Sequence, residues 1–311
     1  MRGPVSMAPR AISAGLVALA VAGLTACGAA RQTEAKDAVT GMPTVVASTD
    51  VWGGVAQSVA GGDAKVASVI TSRSADPHSF EASPSDAAAI ADASVVVYNG
   101  GGYDTWVDSV LANHPGIPTV NAYELLDAAA VGEPQPANEH VFYELNTAKA
   151  VARQIAERLA DANPEKSAEY RSRAAEFERK ADAILQKERA AGSKQPGAAV
   201  VATEPVAHYL LRAAGLTDMT PAGFTGAIEQ DTDPAPVDVA AMLDLITERK
   251  VAVLLYNEQT ATEVTKKIRA AAESAGIPVV QVTETLPAGS DYLSWQSDTA
   301  DRLAAALAEN P

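Results

Sequence analysis

A single cysteine, four histidines and an aromatic share of only 5% set the first limits on this 311-residue chain. With Cys27 alone, no intramolecular disulfide can form, whatever the redox state of the compartment. Few aromatics disfavour a crevice lined for a large organic ligand such as a siderophore or a vitamin. Lysine and arginine number 24 against 39 acidic residues, and no basic patch appears, so nucleic acid is not an expected partner. No H-E-x-x-H pair and no Ser-centred elbow is present, which leaves a secreted metal-dependent hydrolase as a secondary reading with Glu204 as a candidate base. Asn99-Gly100-Gly101-Gly102-Tyr103 fits neither G-x-G-x-x-G nor G-x-x-x-x-G-K, so a tight strand-to-helix turn explains it better than a phosphate cradle.

The chain opens with a leader. Arg2 and Arg10 are the only charges before Cys27, and residues 11–26 are apolar or small. That stretch is short for a membrane span and suits the apolar region of a signal peptide. Leu24-Thr25-Ala26-Cys27 resembles a bacterial lipobox, so residues 1–27 are expected to be a lipoprotein signal ending in the lipidated Cys27. Residues 28–41 are small and polar without periodicity and read as a tether.

The remainder alternates strand and helix patterns twice. Apolar β-type runs at 44–47, 66–70, 94–98 and 118–120 are separated by helical patterns at 51–60, 85–92 and 104–112. The second half repeats this, with strands at 198–202, 251–255 and 278–282 and helices at 206–213, 237–249, 260–274 and 297–308. Strands apolar on both faces and spaced by helices predict parallel sheets covered on both sides. Between the halves, 144–162 and 164–192 are rich in Ala, Glu, Lys and Arg, with Asn163-Pro164 breaking the run. The expectation is an α/β protein of two lobes, 42–163 and 193–311, joined by one long rigid helix over 164–192.

In open parallel sheets, ligands bind beyond the carboxyl ends of the strands. The segments just beyond the strand ends supply His78, His140, Glu204 and Glu284, two imidazoles from the first half and two carboxylates from the second. Such a donor set suits Zn²⁺ or Mn²⁺. His208 lies four residues after Glu204 on a predicted helix, where it is a further ligand or a partner of one. His114 follows a helix end, and a cation at a helix C-terminus is enough to explain it. Trp52, Trp106 and Trp295 are read as packing residues.

At these positions the chain resembles the zinc/manganese solute-binding lipoproteins of bacterial metal ABC transporters, the cluster A-I periplasmic metal-binding family. The likeness rests on Ala75-Asp76-Pro77-His78-Ser79-Phe80-Glu81, Glu139-His140-Val141-Phe142, Ala202-Thr203-Glu204-Pro205 and Val282-Thr283-Glu284-Thr285-Leu286, in that order along the chain. It implies two lobes bridged by a long helix, with one divalent ion carried between them as cargo. It places His78, His140, Glu204 and Glu284 on the four ligand positions and His208 on a position that is not usually a ligand. The fourth ligand is usually Asp, so Asp291 stands as the alternative to Glu284. The His- and acid-rich loop of many zinc members is missing, since residues 113–138 hold His114 alone. The likeness also implies an ABC permease and its ATPase as partners. It further implies a monomer tethered by lipid to the outer face of the cell membrane, and no catalysis.

Overall fold

Short runs of Val, Leu and Ile, too brief for helices and flanked by helix formers, become the inner strands of two parallel sheets. The structure is a computed structural model and describes residues 41–309 except 73, 74, 135 and 231. The expected signal segment, Cys27 and nearly all of the expected tether lie outside the described residues. Among the described residues no helix is long and apolar enough to cross a membrane.

The first lobe runs β1 (Thr44–Thr49), α1 (Asp50–Ala60), β2 (Lys65–Ile70), α2 (Pro84–Ala91), β3 (Val95–Tyr98), α3 (Thr105–Leu111), β4 (Thr119–Asn121) and the short α4 (Ala128–Val131). Two long helices follow, α5 (Leu145–Ala162) and α6 (Ser167–Ser193). The second lobe runs β5 (Ala199–Ala202), α7 (His208–Ala213), β6 (Thr217–Asp218), α8 (Ala222–Glu229), α9 (Pro236–Thr247), β7 (Val253–Asn257), α10 (Glu263–Ala275), β8 (Val279–Val282) and α11 (Tyr292–Glu309). The sheet orders are β2-β1-β3-β4 and β6-β5-β7-β8, with every pairing parallel. Each order reverses beside its first strand, which opens a crevice at the carboxyl ends. Strands β3 and β7 sit inside and are buried throughout, whereas the edge strand β2 alternates exposed and covered residues.

The 27-residue α6 spans about 40 Å at 1.5 Å per residue. It begins at Ser167, because Pro164–Lys166 form a single 3₁₀ turn instead of its first turn. Helices α5 and α11 both pack along α6. One apolar cluster therefore runs from Val45 and Val97 of the first sheet, through Leu159, Phe177 and Leu185, to Trp295, Leu255 and Val200 of the second lobe. Separate clusters cover the far sheet faces, one around Ile90 and Trp106 and another around Phe224 and Ile268. Gly192, near the end of α6, is a close-approach position, since a Cβ there would run into the Ala214 carbonyl.

The Asn99–Tyr103 segment is a tight turn. Gly100, Gly101 and Gly102 all take positive φ, and the Asp104 carboxylate accepts the backbone N–H groups of Asn99 and Gly100 at 2.8 and 2.8 Å. A carboxylate fills the position an anion would need, so the turn is structural. Trp52, Trp106 and Trp295 are all buried.

Candidate metal-binding site

Each side chain of the cleft is delivered by a strand end and fixed by a local device. After β2, the Asp76 carboxylate accepts the His78 N–H at 2.9 Å and turns the loop, and the imidazole rests edge-on to Tyr103 at 4.8 Å between centroids. After β4 the chain travels to Asn138, whose side-chain oxygen accepts the His140 backbone N–H at 2.9 Å and lies 3.1 Å from His140 Nδ1. An amide oxygen only accepts, so Nδ1 carries the proton and Nε2 presents its lone pair to the cleft. After β5 comes Glu204, just before the 3₁₀ turn Pro205–Ala207. After β8 comes Glu284, whose N–H donates to Gln259 Oε1.

These elements bring His78, His140 and Glu284 together, with one donor atom of each within 4.8 Å of the others. Glu284 Oε2 stands 3.8 Å from His140 Nε2 and 4.0 Å from His78 Nε2. That oxygen is buried and has no hydrogen-bond partner. An ion 2.0–2.2 Å from each donor would need them to close by roughly half an ångström. Glu204 lines the same cavity but is not part of the three-residue cluster; Asn257 ties it to Glu284. The Asn257 amide nitrogen donates 2.6 Å to Glu204 Oε2 and 2.9 Å to Glu284 Oε1. The cavity is about 20 Å³, room for one ion or one water.

The electrostatics follow from burial. Desolvation, then the charges of Glu204 and Asp76, push the Glu284 carboxyl up to about 8, against the hydrogen bond from Asn257. Desolvation, then the neighbouring His78 and His208, hold His140 well below its usual value, so it is neutral. Burial and the Glu284 charge raise the Tyr103 hydroxyl well above its usual range, which keeps it a donor. Without a cation, the buried His140 is neutral and the Glu284 carboxyl is pushed to keep its proton.

Two further candidates, His208 and Asp291, lie away from the cavity. The imidazole of His208 lies 2.7 Å from Glu133 Oε1, which Arg212 also holds at 2.8 Å, and His208 does not line the cleft cavity. Asp291 is exposed, and its carboxylate accepts the Ser294 N–H at 2.8 Å at the start of α11. It caps a helix outside the cavity that Glu284 lines. His114 is exposed beyond α3.

Asn257 is the functional residue that sequence reasoning missed. It stands at the carboxyl end of β7, so the strand-end rule reaches it, but an amide is easily passed over in a search for charged ligands. Asp76, Glu229 and Thr260 also line the cavity, and none of them stands out as a ligand in the sequence.

Comparison with known proteins is consistent with this geometry. Residues 45–306 match the family described as "Zinc-uptake complex component A periplasmic". The metal ABC transporter substrate-binding lipoprotein SloC of Streptococcus mutans is 20% identical, over 94% of this chain and 97% of its own. The manganese ABC transporter substrate-binding lipoprotein PsaA of Streptococcus pneumoniae is 21% identical, over 92% and 95%. Among solved structures, the periplasmic zinc-binding protein TroA of Treponema pallidum superposes with a TM-score of 0.73 at 19% identity, covering 86% of this chain and 99% of TroA.

Proposed function

The chain belongs to the zinc-uptake component A family, and from that premise we propose that it captures one divalent cation, Zn²⁺ or Mn²⁺, between its lobes and hands it to the permease of an ABC importer. The ligands in this reading are His78, His140 and Glu284, with Glu204 as the fourth donor once an ion draws the carboxylates together. The observation that carries it is Glu284 Oε2, an orphaned buried oxygen facing two imidazole nitrogens. A buried carboxyl oxygen with no donor costs free energy, and a cation seated there removes that cost.

Binding, not catalysis, is the role. Family membership sets the hydrolase reading aside, and Asn257 holds Glu204 by a hydrogen bond where a general base would face water. The cavity of about 20 Å³ disfavours a siderophore or vitamin, since drug-sized ligands need roughly 300–1,000 Å³. The core shared across α6 supports small lobe movements during release over a wide hinge opening. In this reading the protein works as a monomer outside the cytoplasm, tethered through the lipid on Cys27 and the segment up to residue 41, and its permease brings the ATPase with it.

The test is calorimetric titration of the chelator-stripped extracytoplasmic protein with Zn²⁺ and with Mn²⁺. One equivalent is expected, with affinity falling by orders of magnitude in His78→Ala and His140→Ala. Equal affinity in both variants and the wild type would remove the assignment.

A further inference from the structure

We infer that the Tyr143 and Tyr209 hydroxyls are positioning groups for the ion: reaching across the cleft in opposite directions, they fix the spacing of His140 and Glu284 and so slow release. This rests on the proposed capture of a cation in the cleft, and it names groups that act on the ion only through its ligands.

His140 Nε2 and Glu284 Oε2 stand 3.8 Å apart. Since the two side chains hang from different lobes, only contacts between the lobes can set that spacing. Tyr143 closes the 3₁₀ turn Val141–Tyr143, which follows His140 directly. Its hydroxyl donates to the Thr283 carbonyl at 3.0 Å and accepts the Thr283 N–H at 3.4 Å, one residue before Glu284. A phenol hydroxyl can do both at once. The ring is buried against Trp295 and Phe142, with centroids 5.0 and 5.5 Å away, which fixes where the hydroxyl sits. Asp50, at the start of α1, accepts the Leu286 N–H at 3.1 Å. The Glu284 loop is therefore gripped from the first lobe on both sides of the ligand.

The reverse grip falls on the His140 segment. The Tyr209 hydroxyl, from α7 of the second lobe, donates at 2.6 Å to the carbonyl of Asn138, the residue whose side chain orients His140. Tyr292 and Gln296 of α11 donate to the Phe142 carbonyl at 2.7 and 3.0 Å. Asn99 holds the Glu139 carbonyl from the first lobe at 2.8 Å, so the turn is fixed from both sides. Each ligand segment is thus held by the lobe it does not belong to. Removing one hydroxyl leaves the rings packed and every ligand present, but it lets His140 and Glu284 drift apart as the lobes move. The loss falls on the assembled site, whose preset geometry retains the ion, and not on the approach of the ion to it.

The test uses Y143F and Y209F in the chelator-stripped extracytoplasmic protein, with Y170F as control. Tyr170 is a buried residue of α6 whose hydroxyl donates at 2.8 Å to the Asp63 carbonyl, away from the cleft cavity. Folding is checked by circular dichroism. Loaded with Zn²⁺ and mixed with a fluorescent chelator, Y143F and Y209F are each expected to release the ion roughly ten-fold faster than wild type. Zn²⁺ capture in stopped flow should stay within two-fold. The visible absorption bands of the Co²⁺-loaded variants should shift, because they report the geometry around the ion. Y170F should match wild type in all three measurements. Wild-type release and wild-type Co²⁺ bands in either variant remove that tyrosine from the role, and in both overturn the proposal. An equal acceleration in Y170F also overturns it, since the effect would then be a general loosening of the fold. If wild-type protein takes up neither Zn²⁺ nor Co²⁺, the cleft reading itself has failed.

Discussion

The Asn138 side-chain oxygen lies 3.1 Å from Nδ1 of His140, and this contact selects the nitrogen that faces the cleft. The same oxygen accepts the His140 backbone N–H, so ring and main chain are oriented together. Asn138→Ala frees the tautomer and the ring without touching the ion. Affinity for Zn²⁺ is expected to fall about 10–100-fold, read by competition with a chelator of known affinity. A loss below two-fold would show that the contact does not orient the ligand.

Asn257 bridges Glu204 and Glu284, donating its amide to both. Asn257→Asp removes both bonds and adds a third carboxyl. Metal-free protein is expected to unfold at lower temperature than wild type, with much of the deficit recovered on adding Zn²⁺, because the cation neutralises the cluster. Thermal unfolding with and without metal checks this.

Metal-free protein should lose stability as pH rises. The folded state raises Glu284 from 4.5 to about 8 and Glu188, on α6, from 4.5 to about 8, both mainly by desolvation. The folded protein thus holds protons that the unfolded chain has released. The stability tied to them is complete below about 4.5 and is lost as pH climbs through about 8. The melting temperature of stripped protein should fall between pH 5 and 8, and less steeply in loaded protein, where the cation has displaced the Glu284 proton. Calorimetry at pH 7 in two buffers of different ionisation enthalpy should register proton release on binding.

Gly192→Val tests the contact between α6 and the second lobe. The added side chain meets the Ala214 carbonyl, which backbone cannot readily vacate. A loss of about 1–3 kcal/mol is expected from urea unfolding.

Asp291→Ala separates a helix cap from a ligand. Losing the bond to Ser294 should cost about 1 kcal/mol of stability and leave Zn²⁺ affinity within two-fold. A large affinity loss would return Asp291 to the site.

Much of the fold and the site is legible in the sequence because the physics is local. The buried strand β3 and the residues of β7 before Asn257 announce themselves as apolar runs, and a parallel sheet sends its ligands to the strand ends. That rule reaches Glu204 and Glu284 directly, whereas His140 lies well past the end of β4 and is singled out only with the family resemblance. Other features are hidden for equally physical reasons. The two-residue β6 is too short to carry a period, and α8 has its pattern blurred by Gly223 and Gly226. Helix α11 starts at Tyr292, five residues before its run of strong helix formers, because Asp291 caps it and Tyr292 and Trp295 are buried against the core. The role of Asn257 depends on two carboxylates distant in sequence and cannot be read from its neighbours.

The apolar seam along α6 bears on how the molecule can be taken apart. Phe177 and Leu185 on the connecting helix pack in one cluster with residues of both sheets, and Tyr292 donates to the Phe142 carbonyl across the same seam. Neither half is therefore a cassette. A chimaera that joins one lobe to a relative's other lobe must carry the matching face of the helix with it, and a chain cut after residue 193 should yield two fragments that fold only when mixed.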